Sequence, residues 1–216
     1  GYGLASVEFG WGKPGTGLWL YYGRNGGHGH LDRLNFDIYY KGLCMLPDLG
    51  YPEFATTWPK RLYFTDNTIS HNAVIVNETP QATNWVGHPE LFCQCDDFGA
   101  VRVDSREVYA DTTKYQRTMA FVKVAEGQAY ALDVFRVTGG TDHLYVLHGP
   151  PGEVSTDGLT LTRQAAGSYF GPDVPFAEQT PRGPKYGYSW LRDVDRDPAP
   201  RRAFTVDWTA EAGWRG

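Results

Sequence analysis

Apolar residues in this chain recur with a period of two or in short unbroken runs, and hardly ever with the period of a helix. Residues 17–22 read as a strand. Residues 34–40 alternate cleanly: Leu34, Phe36, Ile38 and Tyr40 share one face, and Asn35, Asp37 and Tyr39 the other. Lys41-Gly42 predicts a tight turn, after which residues 43–46 return antiparallel. Residues 49–70 are rich in Pro, Thr, Tyr and Trp without a period, which predicts a long loop of a length that often carries function. A short buried strand follows at 73–76. Strands are then expected at 91–95, 100–109, 115–124, 129–137 and 143–148, with Glu126-Gly127 and Gly139-Gly140 among the turns between them. Beyond Pro150-Pro151 the pattern weakens to candidate strands at 159–161 and 204–208 around a Pro-, Asp- and Arg-rich loop over 170–202. This ladder predicts an all-β fold, a large antiparallel β-sandwich occupying residues 1–216 as one domain.

Composition agrees with that reading. Aromatic residues make up 15% of the 216 positions, including 14 Tyr and 7 Trp, among 26 Gly and 14 Pro. Aromatic strands broken by Gly and Pro turns suit a sandwich, and most of these rings are expected to fill its core. The formal net charge of −5 gives no pull toward nucleic acid or an anionic membrane, although a local basic cleft for an anionic sugar is compatible with it. No run of about 18 apolar residues is present, so no membrane-spanning helix is expected. The three cysteines, Cys44, Cys93 and Cys95, read as ordinary small residues: the number is odd, and no second pair completes a thiolate site for Cys93-x-Cys95. Gly1-Tyr2-Gly3 and Trp214-Arg215-Gly216 both read as ends cut from a longer protein.

The stretch that carries chemistry is Gly26-Gly27-His28-Gly29-His30-Leu31-Asp32. It holds two of the six histidines, spaced two apart. Read as extended backbone, His28 and His30 project to one side, where both can ligate a metal, or one can ligate while the other handles protons. Asp48 ends an apolar run in Leu46-Pro47-Asp48-Leu49-Gly50, and His71 sits in Ser70-His71-Asn72 at the mouth of the strand at 73–76. The spacings are 48 − 30 = 18 and 71 − 48 = 23 residues, so the donors come from separate strands and loops. Two imidazoles and a carboxylate suit Zn²⁺ with an open fourth position. By spacing alone, a His-Gly-His is more often a turn than a metal site.

Taken together, four features in one order resemble the heparinase II/III-like polysaccharide lyase family. They are His28-Gly29-His30-x-Asp32, the strand at 34–40, the Leu46-Pro47-Asp48-Leu49-Gly50-Tyr51 stretch, and Ser70-His71-Asn72 followed by Val74, Val76 and Gln81. The resemblance implies that the chain is the C-terminal β-sandwich of a protein whose N-terminal domain is an α/α toroid. It implies β-elimination of a uronic-acid polysaccharide, such as a glycosaminoglycan or alginate, by a secreted or periplasmic enzyme. His28 would act in the cleft, zinc would be held by His30, Asp48 and His71, and Asp32 and Asn72 would support the histidines. Arg24, Asn25 and Arg61 would face the anionic polysaccharide. The catalytic Tyr would come from the toroid, so neither Tyr51 nor Tyr63 is promoted to that role. Gly27 stands where many relatives carry a polar residue, which leaves recognition of the sugar carboxylate unassigned.

Other residues read as structural. Lys60 is a solvated loop charge, His88 exposed, His143 and His148 strand-end histidines, and Asp133 a hydrogen-bonded core carboxylate. Two other function classes stay open from sequence. One is a non-catalytic carbohydrate-binding or structural sandwich with a stabilising metal. The other is a glycoside hydrolase, for which Asp96, Asp97 and Asp104 are the available acids, although adjacent acids on a strand point to opposite faces.

Overall fold

The computed structural model describes residues 2–10, 15–49 and 59–212. Two four-stranded antiparallel sheets face each other. The first has the order β1 (Leu4–Phe9), β2 (Thr16–Tyr21), β3 (Phe36–Tyr40), β4 (Leu43–Cys44). After β5 (Val74–Val76), the second runs β6 (His88–Gln94), β7 (Phe98–Asp104), β8 (Thr112–Ala125), β9 (Gln128–Gly139). β10 (His143–Tyr145) pairs with β5. β11 (Gly152–Asp157) pairs with β14 (Thr205–Ala210), and β12 (Thr162–Arg163) with β13 (Asp195–Arg196). Among the described residues no helix is long and apolar enough to cross a membrane.

The alternation puts Val7 and Phe9 of β1, Leu18 and Leu20 of β2, and Phe36 of β3 on the inner face of the first sheet. They meet Val101 and Val103 of β7 and Tyr115, Met119 and Phe121 of β8. Phe9 and Phe121 stack with ring centroids 5.3 Å apart. Each such burial contributes roughly 1.5–3 kcal/mol. Their sum exceeds any single polar contact, so packing of the two sheets sets the fold. Gly99 lies where the sheets come closest: a Cβ there would stand 2.3 Å from Cγ1 of Val7.

The expected antiparallel sandwich is found, with differences at particular elements. β1 and β11 lie outside the strands expected from sequence. Residues 159–161 fall in the bend between β11 and β12, and β4 is two residues long rather than four. Leu34 keeps its place in the alternation and is fully buried, but its backbone is left-handed (φ 66°), so β3 begins only at Phe36. Such a conformation costs a non-glycine residue about 1–2 kcal/mol. It is held by Leu34 N–H to Tyr21 O (2.9 Å), by the buried side chain, and by the Arg117 guanidinium, which donates to Leu34 O at 2.7 Å. In the segment expected to be a loop, Gly50 and Tyr51 lie outside the described residues. Its second half forms a wide helical turn, Arg61–Thr65, and a tight one, Thr68–Ser70.

Candidate metal centre

β3 has two working faces. Phe36 points into the core, while Asn35 and Asp37 point the other way, toward the loop carrying Asp48. Asn35 donates from Nδ2 to Asp48 Oδ2 (3.1 Å) and accepts the backbone N–H of Asn72 on Oδ1 (2.8 Å). Asn72 in turn donates to Phe36 O (3.0 Å) and accepts the N–H of His148 (2.7 Å). One buried amide pair therefore aligns the Asp48 loop with the residue beside His71. Asn72 was expected to support the histidines directly; its bonds run instead to Asn35, Phe36 and the backbone of His148.

Before His30 the chain turns sharply instead of running extended. Gly26 (φ 89°) and Gly27 (φ 74°) are left-handed, and Gly26 N–H donates to His30 O at 2.9 Å. A side chain at Gly26 would be strained and would also meet Thr83 Oγ1 at 2.6 Å. This corrects the expectation that the two histidines project to one side. His28 sits exposed at the tip of the turn, and His30 is buried at its base.

The structure brings His30, Asp48 and His71 together and adds Asp32: one ligand atom from each of the four lies within 4.8 Å of all the others. His30 Nδ1 is 3.1 Å from His71 Nε2, His71 Nε2 is 3.3 Å from Asp48 Oδ2, and His30 Nδ1 is 4.0 Å from Asp48 Oδ1. The far nitrogens have partners of their own. His71 Nδ1 donates to Asn67 O at 2.8 Å, and His30 Nε2 lies 3.4 Å from Asp66 Oδ1. With protons there, two lone pairs face each other across 3.1 Å, an arrangement that either a shared proton or a metal ion between them satisfies. Two nitrogens on one tetrahedral zinc stand about 3.3 Å apart, so the residues present fit a metal ion.

The electrostatics agree. Burial, with Asp48 nearby, pushes the carboxyls of Asp32 and Asp37 up to about 7, with His71 opposing the rise. Asp32 Oδ1 and Asp37 Oδ1 are buried without a hydrogen bond among the described residues. Burial and the neighbouring His71 lower the pKa of His30. Burial also lowers that of His71, but the hydrogen bond and charge of Asp48 outweigh it and the net direction is up. Several acids crowded around two imidazoles are short of positive charge, which a divalent cation supplies.

Three residues expected to face substrate take different positions. Asn25 is fully buried. Its Nδ2 donates to Ala82 O (2.9 Å) and Gln81 Oε1 (3.3 Å), and its Oδ1 accepts from Asn84 N (2.7 Å) and Arg33 Nη2 (3.4 Å). Its amide is used inside the protein, joining the histidine turn to residues 81–84. Arg61 is also buried, with Nε 3.2 and 3.1 Å from the two oxygens of Asp66, which corrects the expectation that it meets an anionic sugar. Arg24 is exposed, with its guanidinium 5.0 Å from the Trp85 ring centroid.

His148 donates from Nε2 to Ile69 O (3.0 Å), and burial lowers its pKa. His88 pairs with Glu107 at 2.8 Å. Asp133 is the expected hydrogen-bonded carboxylate, held by Arg117 and Tyr145. Asp104, one acid available to a hydrolase, is bound by Arg106 at 2.8 Å. Cys44, Cys93 and Cys95 form no disulfide with one another. Asn35, Asp37, Asp66 and Asn67 are the residues of this centre that sequence reading missed. Asn35 and Asp37 fell on the polar face of a predicted strand, and Asp66 and Asn67 inside a predicted loop.

Comparison with known proteins places this geometry. The heparinase II/III-like C-terminal family matches residues 20–147, more than half of the chain and the whole of the histidine and aspartate cluster. An alginate lyase of Stenotrophomonas maltophilia (strain K279a) is 30% identical over 52% of this chain. The fold of a heparinase III superposes with a TM-score of 0.61 over 76% of this chain, at 20% identity. The chain spans 17% of the length of that alginate lyase and 26% of that heparinase III. A sandwich of this topology, with the histidine turn and Asp48 loop inside the matched region, is a member of the heparinase II/III-like C-terminal family.

Proposed function

We propose that this chain is the zinc-carrying β-sandwich of an enzyme that cleaves a uronate-containing polysaccharide by β-elimination, working with an α/α-toroid domain elsewhere in the same protein. The observation that carries the reading is the division of labour in one turn: His28 exposed at the tip, and His30 two residues on, buried in the His/Asp cluster. The alginate lyase and the heparinase III are both named for polymers of this kind. A polymeric substrate puts the enzyme outside the cytoplasm, secreted or periplasmic.

In the reaction, a base removes the proton at C5 of the uronate, the bond from C4 to the glycosidic oxygen breaks, and an acid protonates that oxygen. A C4–C5 double bond remains. The C5 proton becomes removable only when the charge building on the adjacent carboxylate is stabilised. His28 is given contact with the uronate, hydrogen-bonding its carboxylate or handling its C5 proton. His30, His71 and Asp48 would hold zinc, with Asp32 the fourth donor of the cluster. Zinc, when bound, supplies a fixed positive charge that rigidifies the cluster. Rigidity at the base of a short turn places its tip, and small displacements of a reacting group are costly in rate. The acid is assigned to the toroid.

The test is His28→Ala in the longer protein, read by ultraviolet absorbance of unsaturated uronate products and by elemental zinc analysis. The expected result is a rate loss of about 10²–10⁴-fold with zinc retained. Products without the unsaturated chromophore would sink the elimination. Full activity in His28→Ala would favour the second reading, in which the buried metal only stabilises a carbohydrate-binding sandwich.

A further inference from the structure

Each metal-facing nitrogen in the cluster is half of an imidazole whose other half is held by one dipeptide. Asp66 and Asn67 lie between the turns Arg61–Thr65 and Thr68–Ser70, and they face His30 and His71 respectively. Asp66 reaches the histidine turn twice. Its backbone carbonyl accepts the N–H of Leu31 at 2.8 Å, and its Oδ1 lies 3.4 Å from His30 Nε2. Both of its carboxylate oxygens lie within 3.2 Å of Arg61 Nε, which fixes the carboxylate plane from behind. Asn67 accepts His71 Nδ1–H on its carbonyl at 2.8 Å, and its own amide is anchored on Tyr186 O at 3.0 Å.

We propose that Asp66 and Asn67 form a clamp that sets the tautomers of the two histidines. Asp66 is a positioning residue that keeps the His30 proton on Nε2. The Asn67 carbonyl keeps the His71 proton on Nδ1. His30 Nδ1 and His71 Nε2 are then both bare toward the ion. The opposite tautomer at His30 puts a lone pair against a carboxylate and a proton into the metal position, so the arrangement discriminates strongly. Arg61 belongs to this device, since an unrestrained Asp66 could swing into the cluster and compete as a ligand. The 3.4 Å separation is long for a hydrogen bond, so the ring and the carboxylate must close up when the ion binds. The second carboxylate oxygen stays with Arg61.

This inference rests on the metal reading above and deepens it. It is tested on the chain as it stands, without enzyme activity. Zinc affinity is measured by competition with a chromophoric chelator for wild type, Asp66→Ala and Asp66→Asn, alongside the melting temperature of each metal-free protein and the visible spectrum of the Co²⁺ form. Asp66→Ala is expected to lose 10–100-fold in zinc affinity, with an altered Co²⁺ spectrum and a lower metal-free melting temperature, because Arg61 loses its carboxylate partner. The loss in affinity is expected to exceed that loss in stability. Asp66→Asn still accepts the Nε2 proton through its amide oxygen and is expected to recover part of the loss. Wild-type affinity in Asp66→Ala overturns the proposal. So does an affinity loss matched by an equal loss of metal-free stability, which would make Asp66 a scaffold residue. A wild-type chain that takes up no zinc fails at the earlier step and removes the metal reading itself.

Discussion

Replacing Arg117 with Met removes a side chain that ties the second sheet to the candidate metal centre. Arg117 is fully buried on β8. It donates to both oxygens of Asp133 (2.9 and 2.6 Å), to Leu34 O (2.7 Å) and to Asn72 O, and it packs 4.2 Å from the Phe36 ring centroid. Met restores most of the stem and none of the donors. Asp133 keeps the hydroxyl of Tyr145 at 2.7 Å, so its charge is not wholly orphaned. The two carbonyls lose this donor, each at a cost of about 1–3 kcal/mol, and breaking a buried ion pair costs roughly 3–5 kcal/mol. These are overlapping descriptions of one loss, so the expected destabilisation is about 3–5 kcal/mol. That corresponds to a fall in melting temperature of roughly 10 °C for a chain of this size. Urea titration of the metal-free protein measures it. The double variant Arg117→Met/Asp133→Leu should recover part of the loss, because the uncompensated charge is then gone as well. Less than about 1 kcal/mol for the single variant, the range of an exposed ion pair, would refute the argument that the guanidinium supports Leu34 and Asn72.

Asn35→Ala removes the amide that aligns the Asp48 loop with Asn72 and leaves the Asn72 N–H without that acceptor. Zinc affinity should fall by about tenfold or more and stability by about 1–3 kcal/mol, read by chelator competition and urea titration. Alkaline stability gives an independent check on the cores. Burial raises the hydroxyl pKa of Tyr145 and of Tyr39 to about 12, and it also raises those of Tyr109, Tyr115 and Tyr188. Raised folded values mean that the stabilisation is complete below pH 10, the unfolded value, and is lost as pH climbs through the folded values. Urea midpoints should therefore hold up to about pH 10 and fall steeply toward pH 12, with tyrosinate absorbance of the folded chain lagging that of the unfolded. Titration of all 14 tyrosines near the ordinary value without unfolding would contradict the packing.

What could be read from sequence followed from how local each signal is. The cluster of His30, Asp48 and His71 was legible because His28-Gly29-His30, Asp48 and Ser70-His71-Asn72 each sit in a distinctive short context. Asp66 and Asn67 act through a carboxylate inside an aperiodic loop and through a main-chain carbonyl, neither of which has a spacing signature. Asn25 looked like a surface residue among glycines, but its amide partner Gln81 is 56 positions away, a distance no local pattern spans. The alternation over 34–40 gave the right faces even though the backbone breaks at Leu34, because burial follows side-chain direction and not dihedral angle. β1 carries a readable alternation of Ala5, Val7 and Phe9 against Ser6 and Glu8, but it is short. β11 is solvent-facing along nearly its whole length and so has no apolar period to detect.

The hydrogen bonds that seat the ligands, Asn35 to Asp48, Asn67 to His71 and the turn closed on His30, involve only protein atoms. If these bonds form before any ion binds, folding and metallation are separable, unlike those of small domains that are unstructured until zinc arrives. Exposure to a chelator should disarm such a protein without unfolding it, and resupplying the ion should restore it without a chaperone or a refolding step.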